Sequence, residues 1–186
     1  PGGKQAFGAG AIVQATGARP YDPGRLGHLG YGASPDVVTS AQLERMLAGR
    51  ALLRPSDGKR PGRVVFVQCA GSRDAAHLAY CSSECCATSL RQVMAVHEAW
   101  PEVECAVVYR DLRAPGQVEH FYRAVQERSG VMLARGTVEG VEAGARGLVV
   151  KVKDSLLGER VEIAADLVVL ATGMVPSSAD GEAIRQ

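Results

Sequence analysis

The sequence predicts an α/β fold of the dinucleotide-binding type: a Rossmann-type parallel sheet with helices on both faces and an antiparallel meander. Three observations carry this. Continuous apolar runs at Arg63–Gln68, Cys105–Tyr109 and Asp166–Ala171 have the composition of parallel strands buried on both sides. Segments of helical periodicity alternate with the first two of them. From Thr137 onward, between the second and third runs, the hydrophobic period changes to two, at Val138 and Val141, then Leu148, Val150 and Val152, then Val161 and Ile163.

Element by element, Ala11–Ala15 reads as a short strand ended by Thr16-Gly17. The stretch from Arg19 to Pro35 is rich in Gly, Pro and Tyr without periodicity and reads as a connection. A helix fits residues 40–48. Thr39 and Gln42 match a capping box, Leu43, Met46 and Leu47 share a face, and Gly49 follows. The turn composition at Ser56–Gly62 marks the start of a new domain. Leu90, Val93, Met94 and Val96 recur at helical spacing from Cys86 to Trp100, and Pro101 stops the pattern. Val118, Phe121, Tyr122 and Val125 make a second such face before Gly130. Val131–Leu133 reads as a third parallel strand.

Composition narrows the function. With 21 Lys and Arg against 20 Asp and Glu the net charge is +1, which argues against a polybasic nucleic-acid or membrane-surface binder. No apolar run approaches the roughly 20 residues a bilayer span needs, so membrane insertion is not expected. The opening Pro1-Gly2-Gly3-Lys4 is not the start of a signal sequence. The expectation is a cytoplasmic chain cut from something longer.

Four of the five cysteines, Cys69, Cys81, Cys85 and Cys86, crowd together, whereas Cys105 opens a buried strand and reads as a core residue. Four thiolates in one loop can complete the shell of a 4Fe-4S cluster or a tetrahedral zinc, and unliganded redox thiols are the third alternative. Paired C-x2-C knuckles of zinc sites are absent. Adjacent Cys85 and Cys86 point about 100° apart in a regular helix. They serve one site only if the helix starts at the second, and a cuboidal cluster accepts such divergence more easily than one small ion. A helix N-terminus near Cys86 favours an anionic cluster, with Arg73 and Arg91 as further positive charge.

The glycine cradle of a dinucleotide site is missing. After the strand at 64–68 comes Cys69-Ala70-Gly71-Ser72-Arg73-Asp74, with one glycine where G-x-G-x-x-G is required. Gly8-Ala9-Gly10 and Gly30-Tyr31-Gly32 read as ordinary turns. His97 reads as a hydrogen-bonded, partly buried residue, His77 as a poor substitute ligand, and Asp111 as a turn or contact residue between Arg110 and Arg113. No hydrolytic constellation is visible.

The stretches Val65-Phe66-Val67-Gln68-Cys69-Ala70-Gly71-Ser72-Arg73-Asp74 and Tyr80-Cys81-Ser82-Ser83-Glu84-Cys85-Cys86 resemble the heterodisulfide reductase family, in its flavin and iron-sulfur subunit. So do Tyr109–Arg113, Val169–Pro176 and Pro35–Ser40. The resemblance implies a thioredoxin-reductase-like flavoprotein core whose second Rossmann-type domain carries a 4Fe-4S cluster where relatives bind NADPH. Its ligands would be Cys69, Cys81, Cys85 and Cys86. It further implies FAD beside the two Ala-Thr-Gly turns, hence contacts from Thr16, Gly17, Thr172 and Gly173, with most of the flavin site outside this chain.

Residues 1–60 would then be the end of an FAD-domain half with a connection and short helix, 61–171 the iron-sulfur domain, and 172–186 the return towards the FAD domain. Implied partners are other heterodisulfide-reductase-type subunits and a hydrogenase- or dehydrogenase-type electron donor, and a homodimer is compatible with the resemblance. The family's first G-x-G-x-x-G and its ferredoxin-type cysteine runs are absent, and Arg91 stands where Lys is common. A zinc-stabilised structural module without redox activity is the rival reading.

Overall fold

The runs expected to be buried on both faces form the middle of a seven-stranded sheet in the computed structural model, which describes residues 3, 5–145 and 147–180. In chain order the elements are β1 (Ala18–Pro20), β2 (Val37–Thr39), α1 (Ser40–Ala48), β3 (Arg63–Ala70), α2 (Cys85–Ala99), β4 (Glu104–Tyr109), α3 (Val118–Gln126), β5 (Val131–Gly144), β6 (Gly147–Asp154), β7 (Arg160–Ala165), β8 (Leu167–Thr172) and β9 (Met174–Pro176). Short 3-10 turns lie at Pro23–Arg25, Gly27–Leu29 and Ser177–Asp180. The sheet order is β2-β8-β3-β4-β5-β6-β7, parallel from β2 to the first half of β5 and antiparallel beyond.

Alternation along each strand sorts the core into two layers. Val64, Phe66, Cys105, Val107, Leu167 and Val169 pack against Leu43 of α1, Leu90, Val93 and Val96 of α2, and Val125 of α3. Val65, Val67, Ala106, Val108, Val168 and Leu170 face Val150, Val152 and Ile163 of the meander, together with Tyr21, Leu26 and Leu29. All three α-helices therefore occupy one face. On the other, helical cover reduces to the 3-10 turns, because the meander curls over and buries those strands itself.

β5 is what carries the meander there. It pairs in parallel with β4 over Val131–Arg135 and antiparallel with β6 from Gly136 onward. The expected strand at 131–133 and the period-two run beginning at Thr137 are thus one 14-residue strand. A Cβ at Gly136 would lie 2.6 Å from the Lys153 carbonyl oxygen, so only glycine lets β6 close in where the partner changes.

Helix α1 begins as expected. The Thr39 hydroxyl accepts from Gln42 N–H at 3.2 Å and Gln42 Oε1 accepts from Thr39 N–H at 2.7 Å. Its preceding strand β2, not expected from the sequence although Val37, Val38 and Thr39 are all β-branched, hydrogen-bonds to β8 at the sheet edge.

The strand expected at 11–15 does not form. Ile12 and Val13 are 75% and 90% exposed, and no described strand lies alongside to satisfy the backbone. Just after it, β1 pairs with β9 as a separate antiparallel ribbon, Ala18 opposite Pro176. The end of the expected 172–186 segment, beyond Asp180, lies outside the described residues. Among the described residues no helix is long and apolar enough to cross a membrane.

Candidate metal centre

The four clustered cysteines gather at the carboxyl ends of the parallel strands, where open α/β sheets place their ligands. Cys69 ends the buried run of β3 with φ +56°, and the register against β8 shifts between Val67 and Ala70. A left-handed backbone at a non-glycine residue is uncommon, and here it recurs at Arg73 and Ser83 in the same loop. The loop doubles back on itself: Leu78 N–H donates to the Gly71 carbonyl at 3.0 Å and Arg73 N–H to the Tyr80 carbonyl at 3.0 Å.

The doubled loop is then fastened to the end of β8. Met174 N–H donates to Ser82 Oγ at 2.8 Å, and Tyr80 Oη donates to the Met174 carbonyl at 2.9 Å. Between these bonds sits Gly173, where a Cβ would collide with Ser72 Oγ and come within 2.7 Å of Leu78. From the other side the buried ring of Tyr21 supports Gly71, and Tyr21 Oη pairs with His77 Nδ1 at 2.9 Å. His77 is thereby engaged within the loop's own packing.

Helix α2 starts at Cys85, one residue earlier than expected, with Glu84 as an N-cap that makes no side-chain hydrogen bond. The Cys85 thiol donates to the Thr172 carbonyl at 3.5 Å, at the end of β8. Cys86 Sγ accepts from Arg113 N–H at 3.5 Å and reaches the Asp111 carbonyl at 4.0 Å, beyond the end of β4. The two adjacent thiols therefore diverge to the strands on either side of β3, whose end carries Cys69. Cys81 Sγ accepts from Ser83 N–H at 3.4 Å.

Burial and the surrounding charges act on the thiols themselves. Burial pushes the Cys85 thiol up to about 12, and the charges of Cys69, Cys86 and Cys81 push it the same way. Burial raises Cys69 as well, against the pull of Arg73 and with the push of Cys86. A thiol whose ionisation burial disfavours, as at Cys85 and Cys69, becomes a good ligand when a metal's positive charge replaces its proton. The α2 N-terminus, without a side-chain cap, adds oriented N–H dipoles.

Arg73 also pairs with Asp111 at 2.8 Å. Arg91 is committed to Glu44 through two bonds of 3.1 and 2.7 Å, so its charge is spent there.

Among the described residues no three of His, Cys, Asp and Glu close on a single point as one ion requires. Zinc holds its sulfurs at about 2.3 Å. The thiols are distributed instead over the ends of β8, β3 and β4. The donor set is soft, complete and flanked by backbone N–H donors to sulfur, and in that sense the residues present fit a 4Fe-4S group.

Comparison with known proteins agrees with the motifs. No family model matches the chain. It is 42% identical over 176 residues to the CoB–CoM heterodisulfide reductase iron-sulfur subunit of Methanocaldococcus jannaschii, covering 90% of this chain and 27% of that protein. It is 41% identical over 181 residues to the corresponding subunit of the ferredoxin/F(420)H(2)-dependent CoB-CoM heterodisulfide reductase of Methanosarcina acetivorans, covering 93% and 23%.

The chain is homologous to the iron-sulfur subunit of heterodisulfide reductase. It spans about a quarter of the length of these relatives. Among solved structures, T. acidophilum thioredoxin reductase superposes with a TM-score of 0.50 at 16% identity, over 88% of this chain and 44% of that one. L-lysine 6-monooxygenase from Pseudomonas syringae gives 0.52 at 14%, over 75% and 40%. At such identities they share the fold, which is the thioredoxin-reductase-like architecture expected from sequence.

Thr172 and Gly173, expected beside a flavin, are brought against Cys85 and the cysteine loop. Thr16 and Gly17 are not: Gly17 lies at the far end of the β1–β9 ribbon, where its carbonyl accepts from Ser177 N–H at 2.9 Å.

Cys105 is buried with its thiol pushed up to about 12 by burial, as expected of a core residue. His97 is buried, yet its Nε2 has no partner among the described residues, in place of the expected hydrogen bond; its ring packs on Gly130. Sequence reading missed Tyr21 and Ser82, whose roles depend on contacts with distant residues.

Proposed function

We propose that this chain is the electron-transfer segment of a heterodisulfide-reductase-type oxidoreductase, in which Cys69, Cys81, Cys85 and Cys86 hold a 4Fe-4S cluster beside FAD. The observation that carries the proposal is the contact of the Cys85 thiol with the Thr172 carbonyl, which joins the cysteine loop to one Ala-Thr-Gly turn. Thr172 and Gly173 would contribute to the flavin site here, and Thr16 and Gly17 across the β1–β9 ribbon. The ribbon would be the pair of strands by which the iron-sulfur domain meets a flavin domain.

Beside Cys85, a cavity of about 260 Å³ opens between the N-termini of α1 and α2, bordered by Ser40, Glu44, Arg91, Gln92 and Thr172. The cluster and the flavin supply one-electron and paired-electron chemistry respectively. The protein's own part is to fix the sulfurs, exclude water from Cys85 and Cys86, and set the separation of the two groups.

The relatives' names include ferredoxin and H(2), and on that basis the partners are other reductase subunits and a hydrogenase- or dehydrogenase-type donor. A homodimer is part of the same proposal, and sedimentation of the chain tests it. Anaerobic reconstitution tests the cluster. Broad visible absorbance with about four irons per chain is the expected result. One zinc and no iron under the same conditions would establish the structural rival.

A further inference from the structure

At the junction of β3 and α2, Gln68, Ser89 and Gln92 carry fully buried polar atoms without a partner among the described residues. Such atoms are rare in native interiors because they forfeit their bonds to water. One of the three is partly accounted for. Gln92 is anchored through Nε2 to the Ser40 carbonyl and Glu44 Oε2, both at 2.9 Å. Ser89 lies inside α2, one turn beyond Cys85.

Gln68 has no such account. It is 7% exposed, and neither its amide nitrogen nor its amide oxygen is satisfied. It follows Val64 and Phe66 on the row of β3 that faces the helices, immediately before Cys69 and towards the helix that begins with Cys85 and Cys86. A leucine or methionine would fill this position at no polar cost. A glutamine there makes sense if its partner arrives with the metal.

We infer that the Gln68 carboxamide donates a hydrogen bond to a sulfur of the cluster held by Cys69, Cys81, Cys85 and Cys86 and thereby raises its reduction potential, an inference that rests on the cluster reading above. An N–H directed at sulfur stabilises the additional negative charge of the reduced state more than that of the oxidised state. Gln68 is a positioning and tuning residue in this scheme, not a ligand.

The test compares the reconstituted chain with Gln68→Met, which keeps length and volume but removes the donors, and with Gln68→Glu, which replaces the amide nitrogen by oxygen. Iron content, EPR-monitored redox titration and thermal melting of the iron-free protein are read together.

Gln68→Met is expected to retain its iron. At the potential that half-reduces the wild type, its ratio of reduced to oxidised cluster should fall about tenfold, equivalent to about 59 mV for one electron. Its iron-free form should melt no earlier than wild type, because an unsatisfied amide has been replaced by an apolar group. Gln68→Glu should shift the potential further in the same direction, and it carries the test if the methionine variant does not fold. Iron bound with an unmoved potential in both variants overturns the role of Gln68 alone. A wild-type chain that binds no iron overturns the cluster reading and the inference with it.

Discussion

Replacing Gly173 by Ala tests whether the cysteine loop is held against the end of β8 as described. The new methyl would collide with Ser72 Oγ, lie 2.7 Å from Leu78 Cδ1 and 3.2 Å from Ser82 Oγ. The backbone has little room to retreat, since Gly173 N–H donates to the Ala70 carbonyl at 3.2 Å and its carbonyl accepts from Tyr21 N–H at 2.7 Å. The loop must therefore move.

Overpacking of this kind costs about 1–3 kcal/mol, and losing the bond from Met174 N–H to Ser82 adds about 1 kcal/mol. A total of about 2–4 kcal/mol lowers the melting temperature of a chain this size by roughly 4–16 °C. Gly27→Ala is the matched control, because no heavy atom lies within 4 Å of its added Cβ. Circular-dichroism melts of both variants decide the matter: if Gly173→Ala melts with Gly27→Ala, the loop is not seated on β8 and the site geometry is wrong. In reconstituted protein the same variant should bind less iron, since Cys81 lies within the displaced loop.

Other outcomes follow from the same geometry. Replacing Cys69, Cys81, Cys85 or Cys86 by Ser should abolish or greatly weaken iron binding. Cys105→Ala should leave iron content unchanged and cost about 1 kcal/mol of packing in a denaturant titration. NAD(P)H should show no saturable micromolar binding by calorimetry, because Cys69 and a single glycine stand where a pyrophosphate needs a backbone cradle.

The Glu44 carboxyl is held below its ordinary value of 4.5, chiefly by hydrogen bonds from Arg91 and then from Gln92. Its folded pKa is thus the lower one. The stabilisation it provides is present above the ordinary glutamate range and is lost as pH falls through the folded value. Denaturant titrations between about pH 6 and 3 should show a small loss, small because both partners are about half exposed. Arg91→Met should flatten it.

The parallel core was legible because its strands are buried on both faces, and such burial writes itself as unbroken apolar runs. α1 was legible because its cap is local, with Thr39 and Gln42 three residues apart. What resisted reading was anything decided by a neighbour. Gly136 lies between two runs read as separate strands, yet it is the position at which one strand exchanges a parallel partner for an antiparallel one. Ala11–Ala15 has strand composition, but composition supplies no second strand. That the helices gather on one face follows from where β5 carries the meander, a three-dimensional consequence with no local pattern.

The adjacent cysteines show the same division at the site. Helix geometry alone says that Cys85 and Cys86 must diverge, and on that ground both could serve one site only from a helix starting at Cys86. The helix in fact starts at Cys85. Divergence is accommodated differently: α2 begins above the end of β3, so one thiol meets the end of β8 and the other the residues following β4. An angle that would disqualify the pair as ligands to a single ion becomes the means of spreading sulfurs around the Cys69 strand. The same placement leaves Cys85 against Thr172, so the thiol nearest the Ala-Thr-Gly turn is fixed by the sheet order β8-β3-β4 and not by the cysteine spacing. The helix start is therefore as much a determinant of where the two thiols lie as the cysteines themselves.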